Sequence, residues 1–211
     1  MNAAELARNH PILYHRTVPE SVDGILRHGL LSTSQLLALF EVPGAVRTRI
    51  ERHRRASRVP IFHPVYGTAI IADNLPLSEG ALATCLDDGL TPEEWLLILN
   101  SRVFFWPDKK NLCNHLGARL NRGRRLIVME FDTLGLAERH IVRMELAAIN
   151  TGSTIRKPAR RGLSTFSPAQ RYTYEEWRKL RGKRDSVREI SVVDGVPDAA
   201  NYLIRYWQTS E

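Results

Sequence analysis

The chain has 211 residues, 43% of them hydrophobic and 25% charged, enough apolar material for one filled core, so disorder is not the expectation. The net charge is +7, and Lys occurs only at 109, 110, 157, 179 and 183, so Arg supplies 25 of the 30 cations and favours planar, phosphate-bearing partners. No apolar run approaches the roughly 20 residues that span a bilayer, residues 1–5 lack a basic-then-apolar signal, and two cysteines are too few for a disulfide framework or a zinc site. The expectation is one soluble, cytoplasmic domain over residues 1–211, with no membrane partner and no metal.

Residues 11–17 read as a strand that turns His15 and Thr17 to one face by the period of two. A helix over 19–28 stops at Gly29, and Leu30-Leu31-Ser32-Thr33-Ser34 caps a helix over 35–41. Residues 45–58 form a basic helix with six Arg and one Glu, ended by Pro60. Phe62 to Gly67 is then a structured loop that feeds a strand over 68–72. Two helices fall between 78 and 101, the second opened by Thr91-Pro92-Glu93-Glu94, with an N-cap, a first-turn proline and first-turn acids. A buried strand over 103–106, a helix over 109–120, a strand over 126–131, a short helix over 133–138 and a strand over 141–146 follow. Strands over 187–193 and 202–207 finish the chain. The mixture is α+β, with strands at the start, middle and end able to join one split sheet.

Residues 151–186 stand apart as a basic excursion whose one helix runs over 173–181. Between Thr154 and Arg188 eleven cations face three anions, a net +8 that leaves the rest of the chain close to neutral. Phe166, Tyr172, Tyr174 and Trp177 lie among them, and cations mixed with aromatic faces make a nucleic-acid groove. Arg156, Arg160, Arg161, Arg171, Arg178 and Lys183 are the expected contacts to DNA. At the head of the apolar strand stands Glu189, either a solvated edge residue or an acid whose apolar neighbours raise its pKa for catalysis.

Leu13-Tyr14-His15-Arg16-Thr17, Ile25 to Ser32, the pair Arg54-Arg55, and Arg188-Glu189-Ile190-Ser191-Val192 with Gly195-Val196-Pro197 resemble the DarT-type family of ADP-ribosyltransferases that modify DNA bases. The whole sequence, with His63-Pro64-Val65-Tyr66-Gly67 and Val103-Phe104-Phe105-Trp106, also resembles a bacterial family of unassigned function. The resemblance implies an ADP-ribosyltransferase-like split β-sheet core with surrounding helices. It places His15 and Thr17, with Tyr14 and Tyr66, in a substrate pocket, and makes Arg54 and Glu189 the catalytic pair. An anionic Glu under a ribose stabilises the sugar cation formed when an N-glycosidic bond breaks.

The chain departs from that family where an aromatic strand ending in Arg-Ser-Pro-Met would stand, having Phe62 to Gly67 and Ala72 to Leu77 instead. The leading expectation is therefore a DNA glycosylase that flips a base, modified bases included, and releases it with no cofactor. The alternatives are an ADP-ribosyltransferase that uses NAD, and a non-enzymatic nucleic-acid-binding module. A role in phage defence, with an antitoxin as partner or none, is implied by the resemblance alone.

Overall fold

A computed structural model describes residues 1–121, 123–155, 157–182 and 187–209. The elements in chain order are α1 (Ala3–Asn9), β1 (Ile12–Thr17), α2 (Val22–His28), β2 (Leu30–Leu31), α3 (Thr33–Leu39), α4 (Gly44–Arg52), β3 (Val59–His63), β4 (Gly67–Ile71), α5 (Glu79–Ala83) and α6 (Pro92–Asn100). Then come β5 (Arg102–Phe105), α7 (Lys109–Leu116), β6 (Ile127–Asp132), α8 (Thr133–His140), β7 (Met144–Ala147), β8 (Ser167–Pro168), α9 (Tyr174–Arg181), β9 (Glu189–Val193), β10 (Gly195–Val196) and β11 (Leu203–Gln208). The fold is α+β, as expected.

Two antiparallel sheets meet edge to edge. One has the order β1-β6-β11 and the other β5-β9-β7-β8, so strands from the start, middle and end of the chain are interleaved. The seam is one bridge, in which Tyr14 N donates to Trp106 O at 3.0 Å and Trp106 N to Tyr14 O at 2.9 Å. Beyond Tyr14 the sheets part. Alternation decides the faces: Val103, Phe105, Ile190, Val192, Met144 and Leu146 are buried in the main core. The opposite face, with Phe104 and Ala147, is covered by Trp95 and Leu96 of α6 and by Phe166. That helix starts where its sequence says, with Thr91 Oγ1 accepting from Glu94 N at 3.3 Å and the Glu94 carboxylate accepting from Thr91 N at 2.8 Å.

Several expected bounds shift. The basic helix stops at Arg52, because His53 turns to extended backbone, and the expected loop at 62–67 is instead the turn of a hairpin, β3 paired with β4. Pro60 does not end that helix; it lies within β3, opposite Ile70 in a two-stranded hairpin, where strands tolerate a missing N–H at an edge. The helix from 109 ends at Leu116, and the strand expected from 141 starts at Met144 after a 3-10 turn. In α3, α4 and the hairpin, Leu37, Phe40, Ile50, Ile61 and Ile71 share a separate small core.

Candidate functional site

Where the two sheets part, a cavity of about 340 Å³ opens between β1, β5, α2, α3 and the hairpin. His15 and Thr17 both line it, as the alternation along β1 requires. Tyr14, the residue before His15, points the other way into a cluster with Leu112 and Val128, so its expected place in the substrate pocket is corrected. Tyr66 does line the cavity; it stacks on His63 with centroids 4.7 Å apart and meets His28 edge-on at 5.3 Å.

Two of the segments quoted for the family resemblance, Gly29-Leu30-Leu31 and Gly195-Val196-Pro197, pair directly as β2 and β10. Gly29 and Gly195 hold φ of +83° and +116°, and a Cβ on either would stand 2.2 Å from Pro197 O or 2.5 Å from Leu30 O. Only glycine permits this approach, which fixes Leu30 and Leu31 as cavity wall.

The His15 ring is held by a 2.9 Å contact between Nδ1 and Phe104 O. A carbonyl only accepts, so Nδ1 carries the proton and Nε2 offers a lone pair. Burial drives the His15 pKa down to about 4, with the Phe104 carbonyl opposing and Arg16 assisting, so the ring is neutral at ordinary pH.

The arginines give the cavity its sign. Arg16, Arg55, Arg58 and Arg102 line it against Glu20 and Asp73. Arg102 is spoken for, donating from Nε and Nη2 to Glu145 at 2.6 and 3.2 Å. Asp73 is bound by Arg124; burial alone would raise its pKa, but that bond brings it below the usual carboxylate range. Arg55 spans the wall, donating to Ile50 O at 2.5 Å, Ala72 O at 2.9 Å and Asn100 Oδ1 at 3.0 Å, which leaves two of its five N–H groups. Burial lowers its pKa to about 10, against the pull of Asp73, so it stays charged at neutral pH. Arg16 is lowered by burial as well, and its one hydrogen bond among the described residues is the long one, 3.5 Å, to Asn121 Oδ1. Arg58 pairs with no carboxylate within 4.0 Å among the described residues. Arg16, Arg58 and the spare donors of Arg55 are thus free for an anion.

Of the pair 54–55, the structure brings Arg55 into the cavity and not the expected Arg54. Arg54 is exposed outside the cavity, its Nε donating to Leu77 O at 2.5 Å and its backbone N to Glu79 at 2.6 Å. No sequence signal separates the two; the extended turn after α4 sends Arg55 inward.

Glu189 also lies elsewhere. It is buried at the head of β9 and does not line the cavity. Its Oε2 accepts from Thr151 N at 3.0 Å and from Thr151 Oγ1 at 2.6 Å. Burial raises its pKa to about 7, opposed by those two bonds and by Arg161. Arg161 in turn is 2% exposed, donating from Nη1 to Thr151 O at 2.8 Å and from Nε to Ala159 O at 3.0 Å. This cluster fastens the root of the basic excursion, so Arg161 is withdrawn as a DNA contact.

Of the other expected DNA contacts, Arg160 is exposed but paired with Asp87, and Arg171 and Arg178 are exposed on and before α9. Arg156 and Lys183 lie outside the described residues. Among the described residues no three His, Cys, Asp or Glu side chains converge as metal ligands would.

A model of a family of unknown function, DUF7002, matches residues 11–203, and the chain therefore belongs to that family. No curated protein matches it.

Proposed function

We propose that this DUF7002 member is a nucleotide-using enzyme of the ADP-ribosyltransferase type, taking NAD in the cavity and a nucleic acid as acceptor. One observation carries the reading: a neutral His15, Thr17, Tyr66 and three arginines with free donors line one cavity at the seam of a β1-β6-β11 and β5-β9-β7-β8 split sheet. A cavity of about 340 Å³ falls in the size range of small-molecule sites. Its lining offers both kinds of contact that a nucleotide needs. Phe40, Tyr66, Leu36 and Leu39 offer flat apolar surface to a base, and Arg16, Arg55 and Arg58 offer forked donors to a diphosphate.

When bound, NAD would supply a nicotinamide leaving group that takes the electron pair of the N-glycosidic bond, while the acceptor nucleophile bonds to C1′ and releases its proton to water. His15 Nε2 would accept from a hydroxyl of such a ligand, Thr17 would face it from the same wall, and the arginines would balance its phosphates. Thr151 and the Arg161-held loop close over Glu189, the carboxyl expected in both the transfer and the base-releasing readings, so the transfer reading is preferred on the lining of the cavity alone.

Incubation of DNA and RNA oligonucleotides with the protein, with and without NAD, separates the two. A mass gain that requires NAD supports the transfer reading. Alkali-labile abasic sites formed without NAD overturn it in favour of base release.

A further inference from the structure

We propose that the outer face of the β3–β4 hairpin is a stacking platform for an unpaired base of single-stranded nucleic acid, with Phe62 as its centre. The inference rests on the reading of nucleic acid as acceptor and assigns it a surface, different from the excursion that the charge count favours.

Phe62 is 70% exposed and Val65, at the turn, 78%. Neither serves the small core, because Ile61 and Ile71 occupy the hairpin's other face against α3 and α4. Phe62 pairs across the hairpin with Thr68, and Pro60 with Ile70. Thr68 and Ile70 line the cavity, as do Ala69 and Ile71 of the opposite face, so Phe62 stands beside the cavity wall without lining it. An aromatic face held there, open to water, has no folding role that the structure shows, and base stacking is what such faces do in strand-binding proteins.

The charge around it sets the partner's chemistry. Between Gly44 and Ala72 the chain carries six Arg and a single acid, Glu51, which is buried against Arg47. Arg49, His53 and Arg54 are exposed on and after α4, and Arg58 enters the hairpin from the cavity. The opposing carboxylates nearby are Glu79, which accepts from Arg54 N at 2.6 Å, and Glu41, 4.0 Å from His63. In the excursion, by contrast, Arg160 is paired with Asp87, Lys179 with Glu175, and Arg161 is buried. Part of the excursion's larger formal charge is therefore already matched, while Arg171 and Arg178 stay exposed. Phosphates on α4 and the hairpin root, with a base on Phe62, bring the strand to the cavity mouth. A duplex cannot use the platform, since its bases are already stacked.

Fluorescence anisotropy of a labelled single-stranded DNA 12-mer, without NAD, tests the assignment, with ADP-ribose binding followed by calorimetry on the same preparations. Phe62→Ala is expected to weaken oligonucleotide binding about tenfold, and Phe62→Trp to restore it. Arg49→Ala is expected to lower the salt slope by about one. All three should leave ADP-ribose affinity unchanged. The assignment is overturned if Phe62→Ala binds the strand as the wild type does, if duplex binds more tightly than single strand, or if only a protein partner or anionic vesicles respond to Phe62. Loss of ADP-ribose binding in the wild type, with strand binding intact, would remove the cavity reading and leave this surface standing.

Discussion

The chain places arginine in two opposite settings, and the contrast separates what holds the fold from what faces a ligand. At the root of the excursion Arg161 is buried, bonded to Thr151 and Ala159 carbonyls, and set beside Glu189. In the cavity Arg16 and Arg58 are left with few or no partners, and Arg55 with two unused donors. A buried, satisfied cation is bound by its own protein and cannot serve an outside phosphate. A cation kept near a cavity without a carboxylate costs stability unless something else fills the role.

The largest effect expected from this contrast is on stability at Arg161. Arg161→Ala strands the Thr151 and Ala159 carbonyls and leaves Glu189 without its cation, so urea unfolding should show a loss of about 3 kcal/mol. A loss indistinguishable from that of a surface arginine would mean that the cluster does not fasten the excursion.

Next comes the pH dependence of Glu189. Its folded pKa is raised from 4.5 to about 7, so between those values the native state binds the extra proton. The resulting contribution is complete below pH 4.5 and fades as pH rises through about 7. Glu189→Gln keeps an oxygen for the Thr151 bonds and cannot ionise. Relative to wild type it should gain as pH goes from 5 to 8, by at most about 3 kcal/mol. Parallel stability curves for the two proteins would contradict the buried, ionisable assignment. If the same variant abolished an NAD-dependent reaction while folding normally, Glu189 would have to reach the substrate after the loop moves.

The smallest effect belongs to Arg160, exposed and paired with Asp87. Arg160→Ala should leave both the unfolding midpoint and the salt slope of oligonucleotide binding unchanged, because an exposed pair contributes little and its charge is already balanced. A drop of about one in that slope would return the excursion to the nucleic-acid surface.

Much of the core was legible in the sequence. Period-two alternation placed His15 and Thr17 together, and Thr91 to Glu94 marked a helix start, whereas Gly29, read only as a helix stop, also allows the close approach of β2 and β10. What stayed hidden depends on side-chain direction after irregular backbone. Arg54 and Arg55 are chemically identical neighbours, and only the extended turn after Arg52 decides which faces the cavity. Tyr14 was drawn into the pocket by its neighbours, though the alternation that places them excludes it. Glu189 stands on the strand expected of it, but Thr151 and Arg161 come from a loop whose path no local pattern encodes. Counting charges over residues 154–188 could not distinguish a paired or buried cation from a free one.

Calorimetric titration with ADP-ribose and with adenosine, on the wild type and on Arg58→Ala, tests the central claim that the cavity's unmatched arginines hold the phosphates of a nucleotide. The account predicts that ADP-ribose binds, that adenosine binds far more weakly, and that Arg58→Ala costs about tenfold for ADP-ribose alone, as loss of one charge-assisted contact should. Equal affinities for the two ligands, or an ADP-ribose affinity indifferent to Arg58, would contradict it.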